Sequence, residues 1–195
     1  MARKTTFTRK DITDAAVELI RESGHESVNA RALAARLGCS TQPIFSNFKG
    51  MDDVLDAALK ATLVIYNSFT AESIKSGLYE PVYKAYGRAY IRFAFEEKNL
   101  FRLLFMRDRS NDSDPVEQST FYDVLPLIMK ATGMDRETAA MFHFEMWAVV
   151  HGIAVMAATS YLKPDMDVVS ETLTDVYQGL VYRFRTKEGS DEERN

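Results

Sequence analysis

A single cysteine, Cys39, in 195 residues leaves no partner for an intramolecular disulfide and no second thiolate for a metal site. Proline and glycine are also sparse, at five and nine. No stretch alternates apolar and polar residues between turn signals, so strands have no support. Long hydrophobic runs are missing too. The longest, 146–162, is interrupted by His151 and Gly152 and is short for a membrane span. The opening MARKTTFTRKDITDAAV has no apolar core, so no export signal is expected. There is no GxGxxG, P-loop, HExxH or GxSxG pattern and no nucleophile–base pair, which argues against an enzyme. His143 and His151 stand about 12 Å apart along a helix axis, too far to hold one ion, so neither a metal nor another cofactor is expected. What is left, 46% apolar and 27% charged with a net charge of -4, describes an all-α, soluble, cytoplasmic protein with enough apolar side chains for a core.

Apolar residues recur at helical spacing almost throughout. Ile12, Ala15, Ala16, Leu19 and Ile20 form one face of a first helix. Thr8 and Asp11 read as its capping box, Phe7 as a staple on Ile12, and Gly24 as its stop. Asn29 caps a short helix over 30–37 that Gly38 ends, and Ser40 caps another over 41–47, with Pro43 tolerated in its first turn. Asp52 and Asp53 open a long helix over about 51–74. Further helices are expected over about 81–97, 99–107, 115–132, 135–161 and 167–187, with Pro126 kinking one of them. The polar stretch DRSNDSD and the segment Lys163-Pro164-Asp165 read as connections, and the tail GSDEERN as frayed.

Residues 29–48 have the chemistry of a helix–turn–helix. Ala30, Leu33, Ala34 and Leu37 supply the small and apolar inner face that lets a second helix cross closely. Gly38 supplies the left-handed turn, and Cys39 a small buried plug. Ile44, Phe45 and Phe48 are expected to anchor the second helix on the core. Thr41, Gln42, Ser46 and Asn47 are left pointing outward, with side chains suited to base edges. Arg3, Lys4, Asn29, Arg31, Ser40 and Lys49 are the candidates for positioning a phosphate backbone, although Asn29 and Ser40 are equally explained as helix caps. Charge supports this reading. Residues 1–50 carry eight Lys/Arg and five Asp/Glu, a net +3, whereas the remainder carries -7.

The pieces ITDAAVELIRESG, VNARALAARLGCSTQPIFSNF and DDVL resemble the DNA-binding domain of TetR/AcrR-family transcriptional regulators. The resemblance implies a DNA-binding domain over 1–50 and a larger helical domain over 51–195 that dimerises and binds an effector. It implies about nine helices, a homodimer on near-palindromic double-stranded operator DNA, and release by a small molecule. Two residues depart from the family pattern: Phe45 stands where Tyr is usual, and Met51 where Lys is usual. Each removes a group that contacts phosphate or charges a helix start. The competing reading is a helical interaction protein that has lost operator binding or effector response.

The segment Trp147–Gly152 (WAVVHG), with YIRFAFEEKNLFRLLF over 90–105, resembles the Trp/His/Gly type of TetR-family C-terminal domain. Tyr83, Tyr86, Tyr90, Phe105, Phe142, Met146, Trp147 and His151 are the candidate lining of an effector pocket. The alternative is ordinary core, with His151 donating to a backbone carbonyl. Val169, Leu173, Val176, Tyr177, Leu180 and Phe184 make a broad apolar face on the last helix and are the candidate dimer interface, with the 135–161 helix completing a four-helix contact. No membrane association is expected.

Overall fold

The computed structural model describes residues 7–75, 81–108 and 116–192, with side chains omitted over 116–122 and 187–192. Among these residues there are nine α-helices, one 3-10 turn and no strand. The helices are α1 (Arg9–Ser23), α2 (Ala30–Leu37), α3 (Gln42–Asn47), α4 (Met51–Lys75), α5 (Val82–Glu96), α6 (Lys98–Phe105), α7 (Val116–Thr132), α8 (Arg136–Ala158) and α9 (Met166–Glu192). The 3-10 turn His25–Ser27 follows α1. The polar stretch DRSNDSD beyond Asp108, and residue 115 where the next helix is expected to begin, lie outside the described residues. The last helix runs to Glu192, through 189–192 that read as frayed, because each added residue gains a backbone hydrogen bond once a helix is under way.

Contacts group the chain into two compact units, residues 1–68 with 97–108, and residues 69–96 with 109–195. The expected division falls at residue 50, whereas packing divides the chain inside α4 and assigns α6 to the first unit.

In the first unit, α1 packs on α2, α3 and α6. The capping box forms as expected: Thr8 Oγ1 accepts from the Asp11 N–H, and Asp11 accepts from the Thr8 N–H at 2.8 Å. The buried face is Ile12, Ala15, Ala16, Val17 and Ile20. The end of α1 is held by residues distant in sequence. Arg21 pairs with Glu18 and, at 2.9 Å, with Glu97, and Asn99 donates to the Arg21 carbonyl at 3.0 Å. The start of α6 therefore caps the C-terminus of α1. Leu100, Phe101 and Leu104 of α6 are fully buried, and Phe105 packs edge-on against Tyr66 at 5.2 Å.

In the second unit, α5 and α8 form the main packing, with α7 and α9 against both. By length and composition α8 is able to cross a membrane. It starts ten residues before the apolar stretch visible in the sequence. One face of it packs on α5, α7 and α9, and Glu145 pairs with Arg183 of α9 at 2.5 Å. Gly152 is exposed, with nothing within 4 Å of where a Cβ would stand. A close approach occurs at Gly87, where a Cβ would stand 3.3 Å from Val150 Cγ2 and 3.5 Å from Leu173 Cδ1.

Candidate nucleic-acid interface

The helix–turn–helix is built by local capping. Asn29 Oδ1 accepts from the Arg31 and Ala32 N–H groups at 3.1 and 3.0 Å, which opens α2. Gly38 closes it at φ +65°, a conformation that costs glycine nothing and a β-branched residue a great deal. Cys39 is half-buried rather than a sealed plug. α3 has no side-chain cap from Ser40. Its N-cap is Thr41, which makes no capping hydrogen bond.

Ile44 and Phe48 hold α3 from behind, both essentially buried. Phe45 does not join them, since its ring is 51% exposed. Three residues after Gln42, it falls on the same outward face, together with Ser46. Thr41 is half-buried. Asn47 is directed inward, its Nδ2 donating to the carbonyls of Pro43 at 2.8 Å and Phe7 at 3.2 Å. Ser46 Oγ donates to the Gln42 carbonyl at 2.9 Å. Gln42, Phe45 and Ser46 are thus the exposed row on this helix.

Several nearby cations are already paired. Lys10 pairs with Asp14, Arg9 with Asp53, Arg21 with Glu18 and Glu97, and Arg36 with Glu22 through two bonds of 2.7 and 2.8 Å. Arg31 and Lys49 are exposed and make no ion pair among the described residues. Ser40 is exposed as well. Arg3 and Lys4 lie outside the described residues.

Sequence reasoning missed the group that orients α3. Arg9 forms two bonds with Asp53, at 2.6 and 3.3 Å, and donates to the Asn47 carbonyl at 2.8 Å. Its guanidinium lies 4.0 Å over the Phe48 ring. One side chain therefore ties the first turn of α1 to the last turn of α3 and the first turn of α4. A cation at the C-terminus of α3 also meets the negative end of that helix. Asp53 accepts the Lys49 N–H at 3.1 Å as well. The Arg9 hydrogen bonds, followed by that N–H, hold the Asp53 carboxyl below the usual carboxylate range. No local pattern reveals this latch, because Arg9 and Asp53 are 44 residues apart.

A test follows from the sign of the charge. Asp53→Asn removes a negative charge beside the proposed DNA surface, so simple electrostatics would tighten binding. The latch predicts the reverse, an approximately tenfold loss of affinity for a specific site with the salt dependence unchanged, read by fluorescence anisotropy. Tighter binding by the variant would discard the latch.

In the second unit the Tyr83 ring lies 6.5 Å from Phe142, and Tyr90 and Trp147 both pack on His151, while Phe105 belongs to the first unit. Two tyrosine–histidine pairs connect α5 to α8. Tyr83 Oη meets His143 Nδ1 at 3.0 Å, and Tyr90 Oη meets His151 Nδ1 at 2.9 Å. Trp147 stacks on the His151 ring at 4.8 Å. Burial raises the Tyr83 hydroxyl well above its ordinary range, so it stays protonated.

Burial pushes His143 down to about 4. Between pH 6.5 and 4 the unfolded chain takes up a proton that the folded one refuses, so stability falls as pH falls through that window. Urea midpoints measured from pH 6.5 to 4.5 should decline in the wild type and decline less in His143→Gln. Equal slopes would remove His143 as the cause.

Val169, Leu173 and Phe184, expected at a subunit interface, are buried in the protomer's own core. Tyr177 packs edge-on against Phe142 at 5.3 Å, and Val176 and Leu180 are half-buried. Exposed apolar groups among the described residues include Met141 at 53% and Phe144 at 60% on α8, continued by exposed Ala148 and Gly152, and Val168 at 57% and Tyr182 at 73% on α9.

Comparison with known proteins gives consistent matches across the chain. Residues 12–58 match the family model described as bacterial regulatory proteins, tetR family, and residues 83–177 match that of the tetracyclin repressor-like C-terminal domain. The uncharacterized HTH-type transcriptional regulator YobS of Bacillus subtilis (strain 168) is 18% identical over 170 residues, covering 87% of this chain and 88% of that protein. A protein of unknown function from Rhodococcus sp. RHA1 superposes with TM-score 0.74 at 18% identity, covering 93% of this chain and 99% of its own. A TetR-family member from Streptomyces coelicolor A3 superposes with TM-score 0.58 at 21% identity, covering 86% of this chain and 96% of its own.

Proposed function

Because the chain belongs to the TetR family of DNA-binding transcriptional regulators, we propose that it is a repressor, a cytoplasmic homodimer that covers a near-palindromic operator and lets go when a small molecule binds. In this reading residues 1–50 contact DNA, and residues 51–195 dimerise and bind the effector. Regulators of this kind act by binding rather than by catalysis.

The observation that carries the proposal is α3 itself. It is a short helix braced from behind by Ile44 and Phe48, latched at its C-terminus by Arg9, and exposing Gln42, Phe45 and Ser46. Gln42 suits adenine N6 and N7, and Arg31 and Lys49, exposed and without an ion pair among the described residues, suit phosphates. The exposed row Met141, Phe144, Ala148 and Gly152 on α8 supports pairing with a second copy through α8 and α9, alongside the half-buried Val176, Tyr177 and Leu180. A two-fold pair would set its recognition helices about 34–36 Å apart, or a multiple, on successive major grooves. The aromatic set around Tyr90, Trp147 and His151 is the proposed effector region. An effector that prefers a different arrangement of the two subunits weakens operator binding by its differential affinity.

Selection from a random duplex library, followed by anisotropy titrations between 50 and 200 mM salt, tests the reading. The expected result is a two-fold consensus bound with a steep negative salt slope. An unenriched library, or binding insensitive to salt, would overturn it.

A further inference from the structure

The polar reading chemistry on α3 is smaller than the sequence suggests. Asn47 spends its amide on the Pro43 and Phe7 carbonyls, and Ser46 Oγ spends its proton on the Gln42 carbonyl. The Gln42 side chain makes no hydrogen bond among the described residues. Beside it stands the Phe45 ring, 51% exposed, with no aromatic or cationic neighbour among the described residues. A phenyl ring offers nothing to a phosphate oxygen. In the major groove the apolar feature on a base-pair edge is the thymine C5-methyl group.

We propose that Phe45 is a specificity-determining residue that packs on one thymine C5-methyl group in each half-site, next to an adenine read by Gln42. The spacing agrees. Residues three apart on a helix differ by about 4.5 Å along its axis, and stacked base pairs are about 3.4 Å apart. The thymine and adenine therefore fall on the same or neighbouring base-pair steps. Ile44 and Phe48, flanking Phe45 in sequence, are buried and fix α3 so that the ring stays outward. The inference rests on the DNA-binding reading and adds what one side chain recognises.

The test uses the full-length protein and a site selected with it. Each thymine is replaced singly by uracil, which removes the methyl group and leaves every hydrogen-bonding edge intact. One thymine per half-site should lose affinity by about three- to fivefold, the factor for one buried methyl group. Phe45→Ala should abolish that penalty at that position and leave the other positions unchanged, whereas Phe45→Tyr should keep it. Phe45 is a surface residue, so circular dichroism of both variants should match the wild type. A wild type indifferent to uracil at every thymine overturns the inference while operator binding stands. A penalty that persists in Phe45→Ala does the same. Failure to select any site overturns the regulator reading, and this inference with it.

Discussion

Phe144→Asp should turn a dimer into a folded monomer. Phe144 is 60% exposed in the protomer and sits in the outward row of α8 with Met141, Ala148 and Gly152. A carboxylate there stays in water when the chain is alone and must be desolvated when two copies meet, a cost of several kcal/mol per buried ion. Sedimentation at micromolar concentration should therefore give a dimer for the wild type and a monomer for the variant, with unchanged circular dichroism. Operator affinity should drop by at least about a hundredfold, because two half-sites no longer bind as one linked unit. A variant that remains dimeric would place the subunit contact elsewhere. A monomeric wild type would end the two-fold model.

Phe142→Ala should have the largest effect on stability. Phe142 is fully buried, with its ring 6.5 Å from Tyr83, 5.3 Å from Tyr177 and 6.0 Å from Phe184. Truncating it removes the shared centre of α5, α8 and α9 and leaves a cavity walled by rings that cannot all collapse inward. Such losses cost about 3–5 kcal/mol. The single tryptophan, Trp147, lies in the same unit and reports its unfolding directly. The unfolding free energy from Trp147 fluorescence in urea should fall by that amount, through a lower midpoint at an unchanged m-value. A loss below about 1 kcal/mol would mean that the aromatic cluster is loosely packed.

The elements most legible in the sequence are those specified by neighbours in the chain. The capping box at Thr8 and Asp11, the Asn29 cap and the Gly38 stop each need only three or four residues to act. They placed α1 and α2 correctly, and α2 to the residue. Phe45 was legible as apolar but not in its direction. In a six-residue helix, a shift of one position in the assumed inner face moves a side chain from core to surface. The latch at Arg9 was not legible at all, because an exposed arginine beside a helix start looks like any other charged residue until Asp53 is brought beside it.

The last helix shows the same limit on a larger scale. Its apolar residues cover too much of the circumference to say which half faces inward. Burial of Val169, Leu173 and Phe184 was decided by α5 and α8, and in particular by Gly87, whose missing side chain lets Leu173 approach. The amino-acid sequence by itself determined that the chain is helical, where its early helices start and stop, and that residues 29–48 carry a helix–turn–helix pattern, since these depend on local periodicity and capping. Which side of each helix meets water, and which distant charges hold that short helix in place, only the tertiary structure decided. Those choices depend on groups that the chain brings together across tens of residues.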